Sequence, residues 1–420
     1  MKQTSPFSSV VLLALLSSMR IAADISIPGI SGTPVAGIDG NFAPTSPTTI
    51  IDLSTSLIGA WDSAPASGTT GVYDPEKWGV VFKYSSVNIP AGVTIKFRNN
   101  ATRAPVVWLV TGDVTISGNI NLYGEDGSIR QFPEPGPGGF RGGSHFTPVG
   151  SGGMGPGGGN RGQNPIGGSS TPGGGSYRTN ASANSGPSYG DPEITQLLGG
   201  SGGGSHREST RGGGAGGGAI LIVATGRIHL GGSIDAFGGT SSIYGGGGSG
   251  GSIRLVASEL TGTGFINVLG GGSGDLAGSP GFIRAEAEVF GANSVSAYPP
   301  GISSEVISGP ARIWPEETGP RARILSVSNL PIPPDPRSDL GLAPTDVNVP
   351  FNGSREVRIE TRNFPTTGTV TLFVTPAQGD RTSLKPALLP GGTSALATWQ
   401  ATLDSALSGR VALQVRAAAE

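Results

Sequence analysis

Three groups of side chains have the types and spacing to do chemistry. Asn121, Asp235 and Asn267 hold equivalent places in three segments that read alike, and such a row of oxygen-bearing side chains suits calcium or the hydroxyl groups of a sugar. The more economical expectation is that each bonds to the turn beside it. Asp113, Arg227 and Glu259 form a second equivalent set, an acid, base, acid ladder of modest stabilising value. Of the three histidines, His145 and His206 follow Ser144 and Ser205 inside glycine-rich sequence, whereas His229 falls on the outward parity of a predicted strand. A nucleophile and its base must meet through space, so these Ser-His neighbours are read as solvated loop residues. With no cysteine, thiol catalysis and cysteine-bound zinc are excluded. No zinc-protease, nucleophile-elbow or phosphate-loop pattern occurs. The sequence offers no catalytic or cofactor-binding residue, and calcium at Asn121, Asp235 and Asn267 is the one metal that its pattern suits.

The elements that must position these residues are legible as a repeat. Val110 to Gly124 aligns without a gap on Ala224 to Gly238, and that segment on Val256 to Gly270. Val114, Ile228 and Leu260 then match, as do Gly118, Gly232 and Gly264, and Ile120, Ile234 and Ile266. Short β-rich units closed by glycine predict a coiled β architecture in which each turn buries its apolar face against the next. Alternation sharpens this: Val114, Ile116, Ile120 and Leu122 share one parity, and Asp113, Thr115, Asn119 and Asn121 the other. One strand face is expected to make the core and the other to meet solvent.

Composition bounds the class. The chain of 420 residues holds 74 glycines in clusters, not at every third position, which rules out collagen. The stretch from Gly127 to Gly218 has 32 of them and few large apolar residues, so it cannot bury a core of its own. It is expected to be a flexible, solvated excursion; the competing form is a bundle of polyproline-II-like strands. A net charge of −2 and the lack of a basic stripe with interleaved aromatics argue against nucleic acid. Lys2 and the apolar run Val10 to Leu16, with Ala22 and Ala23 before Asp24, read as a secretory leader, the alternative being a buried N-terminal strand or helix. No later segment is apolar enough to span a membrane. An exported chain without cysteine must be stable by packing alone, which favours a bacterial surface or medium.

The predicted order is leader 1–23, N-terminal cap 24–77, first rungs 78–124, glycine-rich insertion 125–217, further rungs 218–295, proline-rich connector with a short strand 296–340, and C-terminal β-sandwich 341–420. In the last, Val357 and Ile359 are expected to point inward.

At Ile89 to Phe97, Pro105 to Ile120 and Gly247 to Ala257 the chain resembles glycine-rich right-handed β-helix proteins of bacterial cell surfaces, including adhesin-like and haemagglutinin-like passengers. The likeness covers about residues 79 to 290. It implies an all-β, right-handed parallel β-helix solenoid with a long glycine-rich insertion and a small C-terminal sandwich. It also implies a surface or secreted role in adhesion or envelope structure. The preferred reading is a non-catalytic surface protein that displays glycine-rich loops and meets a polysaccharide or cell-envelope component. The alternative is a carbohydrate-active β-helix enzyme, a polysaccharide lyase or hydrolase. Ice binding ranks last, because His229 interrupts the Thr115 and Thr261 row.

Overall fold

In the computed structural model the chain is all-β and built largely on parallel sheets, with no α-helix among the described residues. Those residues are the strand Ser8–Val11 and 39–60, 70–128, 131–145, 149–162, 171–206, 212–241, 244–291, 295–300, 303–306, 313, 319–336, 338, 340, 345–349, 355–404, 407 and 409–419. Most of the predicted leader, and the predicted cap as far as residue 38, fall outside them. Ser8–Val11 pairs antiparallel with Val411–Ala418.

Short β-branched and aromatic runs stack into three parallel columns. The first pairs Gly79–Tyr84, Val106–Val110, Ala219–Ala224, the start of Ser252–Thr261, and Phe282–Phe290. The second runs through Asn41–Phe42, Ser86–Ile89, Val114–Ile116, Arg227–Leu230 and the end of Ser252–Thr261. Together with Leu57–Ile58, Val72–Asp74 and Ser303–Val306 these columns make a twelve-stranded sheet, while a six-stranded sheet forms the third. Its strands are Thr48–Asp52, Thr94–Arg98, Asn119–Asn121, Ser233–Asp235, Phe265–Asn267 and Ser296–Tyr298. The repeat read from the sequence is the register itself: Val114 pairs with Ile228 and Ile228 with Leu260, Ile120 with Ile234 and Ile234 with Ile266. Inward side chains of all three columns share one hydrophobic cluster, in which Trp108, Ile222, Val114, Ile228, Ile120 and Ile234 are fully buried.

The expectation that the other face meets solvent fails for the first column. Val81, Val107, Leu109, Leu221, Val223 and Val256 point outward there, yet they are buried under Tyr177, Tyr189, Ile194, Leu197 and Leu198. Strands covered on both faces read as continuous apolar runs, which is why Val106–Val110 and Ala219–Ala224 do not alternate. Charge is buried on this face as well: Arg254 and Arg284 each donate from Nε to Glu286 at 2.8 Å, all three side chains being nearly inaccessible.

The covering residues come from the glycine-rich insertion, and here the expectation of a flexible, solvated excursion is overturned. From Gly213 to Gly218 the successive N–H groups donate to Gly143, Gly246, Glu125, Phe140, Ser249 and Leu122. The donors return to the same neighbouring segment every third residue. From Gly246 to Gly251 the acceptors are Gly204, Leu276, Gly239, Ser201, Ser279 and Ala236, again with a period of three. Three residues per turn is the repeat of a polyproline-II helix, and each such segment bonds outward to several neighbours, some running parallel and most antiparallel to it. The bundle needs little side-chain core because its backbones are in contact. A Cβ built at Gly216 would fall on the Gly200 carbonyl, well inside van der Waals distance. Serines are the tolerated exception, since Ser201 and Ser249 sit fully buried with the Ser249 hydroxyl accepting from the Ser201 N–H at 2.7 Å.

Two antiparallel sheets over one core form the C-terminal unit, with Val357 and Ile359 inward as expected. Arg321–Val327, which the sequence places in the connector, is one of its strands. This unit docks on the glycine bundle. Gly379 N–H donates to the Gly150 carbonyl, Arg161 pairs with Asp380 at 2.6 Å, and Gly155 N–H donates to Gln414 Oε1 at 3.0 Å. The buried Arg381 guanidinium donates to the Gly155 and Pro156 carbonyls at 2.8 and 3.0 Å and lies 4.3 Å over the Phe373 ring. Burial pushes its pKa down to about 10.

Gly216→Ala is expected to destabilise the protein by about 3 kcal/mol or more in chemical denaturation, since the overlap is with backbone. Gly231→Ala, where a Cβ has room and φ is ordinary, should change stability by less than about 0.5 kcal/mol. Arg381→Met strips two buried carbonyls of a charged donor, a loss of about 2 kcal/mol. It should speed proteolysis between the C-terminal unit and the bundle at unchanged secondary-structure content by circular dichroism.

Candidate functional site

The outward face of the six-stranded sheet gathers the residues that the repeat singled out. Parallel pairing without slippage puts Lys96, Asn121, Asp235, Asn267 and Tyr298 side by side in one row. The adjacent row is Thr94, Asn119, Ser233, Phe265 and Ser296. Neighbours within a row stand about 4.8 Å apart, the strand spacing of a sheet.

Hydrogen bonds hold the row rigid. Asn121 Oδ1 accepts from the Tyr123 N–H at 2.9 Å, and Asn267 Oδ1 from the Leu269 N–H at 3.0 Å. The Ser233 hydroxyl bridges Asn119 Oδ1 at 2.9 Å and Asp235 Oδ2 at 2.5 Å. Burial raises the Asp235 pKa, against the lowering effect of hydrogen bonds from Ser233 and Asn267. The outward parity therefore does not mean full exposure: Ser233 and Asp235 are only 2% and 7% accessible. Among the described residues no three His, Asp or Glu side chains cluster as metal ligands. The Asn121, Asp235 and Asn267 oxygens named above are engaged by protein donors, and calcium wants six to eight oxygens.

Sequence reasoning missed the aromatic flanks of this row. Tyr123, Phe265 and Tyr298 are 47%, 42% and 53% exposed. Tyr123 meets the half-buried Phe237 at 6.0 Å between ring centres, and Phe265 meets Tyr298 at 6.4 Å, both edge to face. The repeat held part of the signal, since Tyr123 and Phe237 are aligned positions. Tyr298 lies on a further rung that the repeat did not reveal.

The remaining candidates are dispersed. Asp113 accepts from the Arg227 N–H at 2.8 Å, with the guanidinium 3.9 Å away, and Glu259 is in register with Arg227. His229 Nδ1 lies 3.1 Å from Thr261 Oγ1. His145 Nδ1 lies 2.9 Å from the His206 carbonyl, while the Ser205 hydroxyl donates to the Ser151 carbonyl. The serines thus serve the bundle backbone. A separate cavity of about 410 Å³ lies at the seam with the C-terminal unit, lined by Tyr73, Trp78, Phe140, Met154, Val327 and Val411. Tyr73 closes part of it by donating to Asp335 at 2.7 Å.

No family model, curated protein or solved structure matches the chain.

Because the folded state favours the protonated Asp235, its contribution to stability declines as pH rises from about 4, the unfolded aspartate value, through the higher folded value. Asp235→Asn keeps an acceptor for Ser233 without the buried charge. Its stability relative to the parent should therefore be greater at pH 7 than at pH 3 in paired urea titrations.

Proposed function

We propose that this chain is a non-catalytic, secreted or cell-surface protein whose scaffold is a right-handed parallel β-helix. The observation that carries the reading is the in-register stacking of the three repeated segments around one core, which turns a short sequence repeat into regular outward rows. The leader-like residues 1–23 and the lack of cysteine fit export without disulfides, with removal of the leader taking the edge strand Ser8–Val11 from the C-terminal unit. In this reading the glycine-rich segments buttress the helix more than they display loops. The rows of the six-stranded sheet present the recognition surface, and the partner is a polysaccharide or cell-envelope component. The C-terminal sandwich is held against the bundle through Arg381, Arg161 and Gln414.

One observation favours a second reading, a carbohydrate-active β-helix enzyme. Asp235 is a carboxylic acid whose pKa burial raises, the property of a group that protonates a glycosidic oxygen.

Expressed in a bacterium with its own N-terminus, the chain should be recovered outside the cytoplasm with residues 1–23 removed. Uncleaved cytoplasmic protein would overturn the exported reading. Incubation with a panel of polysaccharides should release no reducing or unsaturated ends; products abolished by Asp235→Asn would replace the first reading with the second.

A further inference from the structure

We propose that the outer face of the six-stranded sheet binds a neutral, hydroxyl-rich glycan chain lying across the rungs, a proposal that rests on the non-catalytic surface reading. Four aromatic rings line this face of the parallel sheet as two pairs, and three of them are about half exposed. Nothing in the fold requires Tyr123, Phe265 and Tyr298 to be large and apolar, because the core faces the other way. Exposed Tyr and Phe offer flat apolar surface at low entropic cost. Rings of this kind suit the C–H faces of sugar rings. Phe265 and Tyr298 pair across the two rows at one end, and Tyr123 and Phe237, two residues beyond Asn121 and Asp235, pair beside the middle of the polar row.

That row complements hydroxyl groups. The Asn121 and Asn267 amides are pinned through their oxygens by backbone N–H groups, which fixes the amide planes beside a carboxylate that is itself held by Ser233. Sugar hydroxyls both donate and accept, so amides held in fixed planes can bind them with little ordering cost. Charge decides the class of glycan. Arg98 is paired with Asp52 at 2.9 Å, Lys96 is exposed, and Asp235 is buried in the middle of the row. A face with so little net charge, and with a carboxylate at its centre, disfavours an anionic polysaccharide. The spacing of rungs, about 4.8 Å, matches the length of a pyranose unit, so successive sugars meet successive strands.

Affinity electrophoresis of the full chain through gels containing dextran, laminarin, hydroxyethyl cellulose or alginate tests this. Retardation is expected in at least one of the three neutral gels and not by alginate alone. Tyr123→Ala combined with Phe265→Ala should weaken that binding at least tenfold, with thermal melting within a few degrees of the parent, because both rings are solvent-facing. Tyr244→Ala, an exposed tyrosine away from this sheet, should bind as the parent does. Asn267→Asp, which sets a second carboxylate beside Asp235, should also weaken binding. Retardation by alginate alone, by no neutral polymer, or equally for the double variant would overturn the proposal. A chain that is exported and yields no products yet fails these gels would leave the broader reading standing and sink only this one.

Discussion

Backbone contact between glycine segments is the constraint on which the rest depends. In the bundle three successive donors leave the chain toward three different neighbours and the fourth returns to the first, so every segment is tied to several others by ordinary N–H to C=O bonds. Each bond contributes only about 1 kcal/mol net. Their number and their burial make the region a solid layer. That arrangement tolerates no Cβ at most of its positions, and it converts a composition that suggests looseness into close packing.

The layer has consequences for both of its neighbours. Its few large side chains, Tyr177, Tyr189, Ile194, Leu197 and Leu198, cover the outward face of the first column, which would otherwise present a broad apolar sheet to water. On its other flank it supplies the carbonyls that Arg381 clasps, and so fixes the C-terminal unit. The Tyr177 and Tyr189 hydroxyls donate to the Leu198 and Gly199 carbonyls at 2.7 Å, which settles two buried polar groups without water. With one face of the molecule committed to this layer, the six-stranded sheet is left to present rows of side chains outward.

Those rows are rigid for the same reason that they are regular. Parallel pairing in constant register brings equivalent residues together, and the amide oxygens of Asn121 and Asn267 spend their bonding capacity on the turns that follow them. The ladder forms, and two of its three members, Asn121 and Asn267, also bond to the turns beside them, whereas Asp235 bonds to Ser233. Asp235 differs from its neighbours in being an acid enclosed by them, and burial is what raises its pKa.

The repeat of Val110 to Gly124 was enough to determine, from sequence alone, which residues stack on which: the pairs Val114 with Ile228 and Ile120 with Ile234 follow from matching apolar parity and glycine-closed turns. Val357 and Ile359 were legible as inward for the same local reason. The glycine bundle was not legible, because its period of three resides in the direction of backbone hydrogen bonds, and a run of glycines carries no side chain to record it. The burial of Ser233 and Asp235, the covering of the first column and the meeting of Phe265 with Tyr298 were likewise decided only in three dimensions. Each depends on which distant segments become neighbours, and that is settled by packing between rungs and not by the pattern within one.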